Sequence, residues 1–188
     1  MVLPSITELL TRIHGDKYGF VDPELLERSA EYGTRVHKEI QDIINTRECG
    51  FDLEPLLEGT TQETKNYFNM IEPIYGLLPL MTEIMVVLYD RDANPVAAGR
   101  FDMVCKEKES GAIMLCDFKT TSTLNTSLVS DQLNLYKLAA EQSGYFQKGE
   151  ITKLAAIHLS GEKRKLKEIQ IFGEKFYNRY LAVTNQDF

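Results

Sequence analysis

Apolar positions follow two periods along this chain of 188 residues, helical at both ends and strand-like in the middle. Ser5 with Glu8 has the pattern of a capping box, and Ile6, Leu9, Leu10 and Ile13 then fall on one side of a short helix. Gly15 and Gly19 mark a loop. Asp22 before Pro23 reads as an N-cap with proline at the first helical position, opening a long helix to about Thr46. Its expected buried side is Leu25, Leu26, Val36, Ile40, Ile43 and Ile44. Gly33 interrupts it at some cost in helix propensity, as a close approach of another element would require. Thr60 with Glu63 suggests a second capping box, heading a helix that ends near Pro73.

From Leu80 the pattern changes. Residues 80–90, 96–105 and 112–120 are rich in Val, Ile, Phe and Met, and only RDANP and KEKESG separate them. Such short connections predict an antiparallel meander. Leu128, Leu135, Leu138 and Ala139 return to helical spacing, and Gly144 can end that helix. Residues 153–160 and 165–172 around a GEK turn predict a hairpin, and 174–183 a last helix. The expected fold is α/β (α+β mixed) in one domain over 1–188: a helical part at 1–75, a sheet with its helix at 80–172, and a terminal helix at 173–188.

Composition narrows the setting. With 43% hydrophobic and 26% charged residues the chain is of ordinary globular type. Its apolar runs fall far short of the ~20 residues needed to cross a bilayer. The N-terminus lacks the apolar stretch of a signal peptide, so a cytoplasmic protein without membrane contact is expected. Cys49, Cys105 and Cys116 are too few and too scattered for a disulfide framework or a CxxC metal site. The net charge of −7 is the wrong sign for a generally basic nucleic-acid surface.

The candidate chemistry lies in GRFDMVCKEKESGAIMLCDFKTT, residues 99–121. Asp102 sits between Phe101 and Met103, and Asp117 and Lys119 flank Phe118, in runs that otherwise read as buried strand. Alternation places Asp117 and Lys119 on one face, and antiparallel pairing adds Asp102 to it. Phe101, Met103, Cys105, Met114, Cys116 and Phe118 then form the core face. Two carboxylates and a lysine can hold a hard divalent cation and leave an ammonium near its water. A D-x-K triplet is common by chance, so the hairpin alone leaves a metal site and a surface ion pair both open.

Further motifs narrow the choice. The hairpin resembles that of the PD-(D/E)xK nuclease superfamily, with an Asp on one strand and a D/E-x-K on the next. YGTRVHKEI resembles the helical GTxxH motif of its RecB-type exonuclease branch, GRFD the GxxD, CDFKTT the D-x-K-T and QLNLY the QxxxY. Together these cover Gly33 to Tyr136, in the order of that branch, and the length is closer to stand-alone phage or mitochondrial genome maintenance exonucleases than to a helicase fusion.

The resemblance implies a restriction-endonuclease-like core, a central mixed sheet with an antiparallel meander flanked by helices. It implies one or two Mg2+ or Mn2+ ions held by His37, Asp102, Asp117 and the Phe118 backbone carbonyl. Lys119 would orient the attacking water, and Gln132 and Tyr136, one helical turn apart, would reach the site or the DNA backbone. An iron–sulfur cluster of four cysteines, found in some members, is not expected with three. Glu83 is a further candidate acid whose side of the strand the pattern leaves open. Arg35, Lys38, Arg100, Thr120 and Thr121 are candidate phosphate contacts, although a solvated helix face or loop capping accounts for several of them equally. His37 itself also reads as a partly buried helical histidine, and His14 and His158 as structural or surface residues. The basic run at 162–168 reads as a solvated hairpin edge.

The expected activity is metal-dependent DNA hydrolysis, by an exonuclease acting in recombination, repair or phage DNA processing. Its partner would be DNA ends, with a homo-oligomer or a recombination protein as further partners. Rival readings are a structure-selective endonuclease of the same superfamily and a catalytically inactive nuclease fold that binds DNA.

Overall fold

The computed structural model describes residues 2–15 and 21–184, with side chains as far as Leu181. Gly19 of the expected loop and residues 185–188 of the expected last helix lie outside the described residues.

Helix α1 (Ile6–His14) opens on the expected capping box: Ser5 Oγ accepts from the Glu8 amide at 3.0 Å, and Glu8 returns a carboxylate to the Ser5 amide. Asp22 caps α2 (Pro23–Glu48) through the Glu24 amide, 2.9 Å away. Burial of α2 begins only at Val36, and Leu25, expected on the buried side, is 57% exposed while Leu26 is half-buried. Through Ala30 every residue of α2 but Leu26 is exposed, so the periodicity of Leu25 meets no partner layer among the described residues.

A short α3 (Leu53–Leu56), not expected from the pattern, precedes α4 (Gln62–Asn66). The cap of α4 is Thr61 rather than Thr60. Glu39 of α2 accepts hydrogen bonds from the Thr61 amide and hydroxyl and from the Thr64 hydroxyl, at 2.7–2.8 Å. A carboxylate from a distant helix thus does the work expected of Glu63, which instead accepts from the Tyr32 hydroxyl and the Gly161 amide. The helix continues through a π-helical turn (Tyr67–Ile71) into α5 (Glu72–Tyr75) and so ends near Pro73, as expected. Pro73 falls in the first turn of α5, where a missing amide hydrogen is tolerated.

Five strands follow: β1 (Leu77–Tyr89), β2 (Pro95–Glu107), β3 (Ile113–Lys119), β4 (Ile151–Ser160) and β5 (Lys163–Ile169), with α6 (Thr126–Gln142) between β3 and β4 and α7 (Glu174–Thr184) at the end. Their order in the sheet is β1-β2-β3-β4-β5. The first three strands form the expected antiparallel meander, α6 crosses over to make β3 and β4 parallel, and β5 returns antiparallel. The protein is therefore of mixed α/β class, a five-stranded mixed sheet flanked by helices. Among the described residues no helix is long and apolar enough to cross a membrane.

The middle of the sheet is covered on both faces. Ile6, Leu9 and Leu10 of α1 and Leu133 and Tyr136 of α6 pack with Leu115 on one face. Val36 and Ile40 of α2 and Tyr67 of the π-helical turn pack with Met103, Cys105, Cys116 and Phe118 on the other. Phe101 departs from its expected place, for it joins the α1/α6 core while Met103 joins the α2 core. The β1–β2 register is nevertheless constant there, with Thr82 opposite Met103 and Ile84 opposite Phe101. Strand alternation thus slips at the intervening pair, Glu83 and Asp102, and Glu83 has φ of 55°, a conformation rare for a residue with a Cβ.

Candidate metal centre

The slip coincides with a gap in the sheet. Paired residues of β2 and β3 run from Lys106 opposite Ile113 to Met103 opposite Cys116, whereas β3 stays paired with β4 as far as Lys119. Where the next rungs would be, the Asp102 carboxylate replaces a strand carbonyl: its Oδ2 accepts the Phe118 amide at 2.7 Å. Asp102 therefore lies in the notch between splayed strands instead of standing on one sheet face.

Groups from five elements meet at this notch. His37 of α2 brings Nδ1 to 3.3 Å from Asp102 Oδ1, its ring edge-on to Phe118 at 5.7 Å between centroids. Glu83 of β1 joins them, and the ligand atoms of His37, Glu83 and Asp102 lie within 4.8 Å of one another. Lys119 of β3 places Nζ 2.7 Å from Asp117 Oδ2 and donates to Gln132 Oε1 of α6 at 3.0 Å. Asp117 Oδ2 is buried and receives no aligned hydrogen bond, leaving the Lys119 ammonium as its ion-pair partner.

Two glycines admit the neighbours. A Cβ on Gly99 would lie 2.7 Å from Tyr136 Cε1 and 3.2 Å from Ile6 Cδ1, so the glycine of GRFD lets the tyrosine ring lie against β2. A Cβ on Gly33 would lie 3.1 Å from Thr120 Oγ1, which accounts for the glycine inside α2 and brings His37 down to the end of β3.

The electrostatics follow from burial and crowding. Burial and the nearby Asp102 charge, outweighing Lys119, push the Asp117 carboxyl up to about 6. Burial also works against ionised Asp102, but His37, Lys119 and the Phe118 amide overcome it and hold this carboxyl below its usual range. Glu83 is raised by burial and by the charge of Asp102. Against burial, the acids raise both His37 and Lys119 and so favour their cationic forms. Burial and the charges of Asp117 and Asp102 push the Tyr136 phenol up to about 12, keeping it a proton donor.

The remaining candidates divide. Arg100 is drawn in, its Nε 2.5 Å from Glu83 Oε2. Arg35 and Lys38 are not: they pair along α2 with Glu39 and Asp42 and line a shallow outer groove with Glu27 and Glu31, a poor place for phosphate. The Thr121 hydroxyl donates to the Thr123 carbonyl inside its own loop, and His158 Nε2 donates to the Thr121 carbonyl at 2.6 Å. His158 is thereby a structural residue that holds the loop after β3, and His14 likewise pairs with Asp131 at 2.8 Å. Sequence reasoning did not foresee the Glu39 and Glu63 ties that seat α2 on α4.

No protein-family model matches the chain, and no curated protein matches it. Among solved structures, SSO0001 aligns with 95% of this chain and 84% of its own, at 12% identity and a TM-score of 0.43, a likeness too slight to support any functional statement.

Proposed function

We propose that this protein is a metal-dependent DNA nuclease working from DNA ends. The observation that carries the proposal is the meeting of His37, Asp102, Asp117, Lys119, Gln132 and Tyr136, distant in the chain, around one notch in the sheet. Glu83 joins them there. The donor set fits a hard divalent cation: the His37 imidazole and the carboxylates of Glu83 and Asp102 bring ligand atoms within 4.8 Å of one another, and the buried Asp117 carboxylate lies near Asp102, paired with Lys119 at 2.7 Å. His37, Asp102 and Asp117, with the Phe118 carbonyl, would hold it. When bound, Mg2+ or Mn2+ supplies a water acidic enough to attack phosphorus and stabilises the leaving oxygen.

The chain's own groups do the rest. Lys119, tethered by Gln132 and kept cationic by two acids, faces the developing charge on the phosphoryl oxygens and orients the attacking water. Tyr136 stays protonated and can donate to a phosphate oxygen. The Phe118 amide fixes the Asp102 carboxylate, so one of its oxygens is already oriented before substrate arrives. The site is compatible with an acidic protein because recognition of a strand end needs a few cations at the notch, not a basic surface.

The experiment is digestion of end-labelled linear and circular DNA, single- and double-stranded, with Mg2+, Mn2+ or chelator. Metal-dependent loss of linear DNA alone supports the exonuclease. Cleavage of circles as well replaces it with an endonuclease, and DNA retention without cleavage under any metal replaces it with a silent binding fold.

A further inference from the structure

Arg100 is a fixed cation beside a site built for a mobile one. Its side chain is 58% exposed, yet its Nε is drawn to 2.5 Å from Glu83, whose side chain is only 10% exposed. The same Glu83 carboxylate belongs to the His37–Glu83–Asp102 group, whose ligand atoms lie within 4.8 Å of one another. Arg100 stands two residues before Asp102 on β2, opposite Met85 of β1, at the rim of the notch. Arg100 and Glu83 are diagonal neighbours across β1 and β2, since Arg100 is opposite Met85, two residues on from Glu83, and the φ of 55° at Glu83 marks the place where strand alternation slips beside them.

We infer that Arg100 and a divalent cation compete for Glu83, so that metal loading releases Arg100 to hold a DNA phosphate at the rim. This rests on the nuclease reading and adds to it a fourth side-chain ligand and a coupling between the metal and the DNA strand. The guanidinium neutralises Glu83 in the metal-free protein. Once a dication sits between Glu83, His37 and Asp102, the carboxylate has a stronger partner and the guanidinium next to it is repelled. An exposed arginine on a rigid strand is then free for bidentate contact with phosphate, which the guanidinium fork suits better than an ammonium. In this reading Arg100 is a positioning residue that holds the strand next to the metal, and the metal-free protein keeps it masked.

The test is Mn2+ titration of the full chain, followed by calorimetry or by the electron paramagnetic resonance signal of free Mn2+. Arg100→Gln removes the competitor, and Mn2+ affinity is expected to rise about three- to tenfold, the scale of losing one partly exposed ion pair. Glu83→Gln is expected to weaken Mn2+ binding, and in that background Arg100→Gln should have no further effect. A fluorescent oligonucleotide is then bound to Lys119→Ala protein with and without Mn2+; the gain on adding metal should shrink when Arg100→Gln is introduced. Unchanged or weaker Mn2+ binding by Arg100→Gln, or an effect that persists without Glu83, overturns the inference while leaving the nuclease reading intact. Mn2+ binding indifferent to Asp102→Asn and Glu83→Gln alike overturns the metal centre itself and the inference with it. Circular dichroism melts of the same variants verify that they remain folded, as expected for an arginine with an exposed side chain.

Discussion

The two ends of the β2–β3 hairpin carry the same kinds of charge and treat them in opposite ways. At the turn end Glu107 meets Lys153 at 2.9 Å and accepts from the Ser110 hydroxyl, and these partners lower the Glu107 carboxyl below its usual range. At the notch end Asp117 meets Lys119 at 2.7 Å, yet its carboxyl is pushed up to about 6, because burial outweighs the ammonium and Asp102 adds a like charge. An ion pair of similar length is thus a satisfied, solvent-screened contact at one end and an under-neutralised one at the other. The difference is one of burial: the notch takes its carboxylate out of water, and the turn end leaves its own in it.

The sharpest way to break the comparison is to remove the lysine at each end. Lys119→Ala should lower the initial rate of DNA cleavage by about 10²–10³-fold or more, the scale of losing a transition-state charge partner. Its far-ultraviolet circular dichroism should stay native. Lys153→Ala, measured in the same assay, should leave the rate unchanged, and equal losses from both variants would end the distinction. Next in size is Gly99→Ala at the notch end, where the new Cβ meets the Tyr136 ring at 2.7 Å. It should destabilise the fold by about 1–3 kcal/mol in urea denaturation, the usual cost of overpacking.

The ends should also titrate with opposite sign. Asp117 has a folded value above its ordinary one, so the metal-free folded state holds an extra proton between about pH 4 and 6. Stability from this group is present at low pH and falls as pH rises through that window. A cation competes with this proton and with the one on His37, whose cationic form the acids favour, so Mn2+ affinity should drop as pH falls through about 6, by up to about tenfold per unit for each group that must lose its proton. Glu107 is depressed, so its contribution is present above its unfolded value and fades as pH falls through its lowered one. Urea midpoints across pH 4 to 7, with and without Mn2+ and in Asp117→Asn, separate the two; a pH profile unchanged in Asp117→Asn would refute the assignment. The smallest effect is Lys153→Ala on stability, under about 1 kcal/mol and reduced further by salt.

Most of the fold was legible because its signals are local. Capping residues opened α1 and α2, short turns announced the meander, and the return to helical spacing placed α6 between β3 and β4. Expectations failed where a remote element decided the outcome. Leu25 has the right spacing but no layer to pack on among the described residues, and Thr60 lost the cap of α4 to Thr61 because Glu39 reaches across from α2. At the candidate site His37, Asp102, Asp117, Lys119 and Gln132 meet at one notch, whereas Arg35 and Lys38 belong to an outward face crowded with acids. The side on which Glu83 falls is not legible in the sequence for a physical reason: alternation alone cannot show on which side of a slipped strand a residue lies.

The sequence by itself determined the periods, caps and turns that make the elements, and the residue types at His37, Asp102, Asp117, Lys119, Gln132 and Tyr136. Only the tertiary structure decided that Phe101 leaves the face of Met103, that Asp102 bridges to the Phe118 amide, and that Glu83 lies between Arg100 and a histidine. The physical reason is range. Spacing along a chain records how a segment meets its immediate neighbours, while the splay of β2 from β3, the slip at Glu83 and the resulting charge balance arise from elements packed together across the fold.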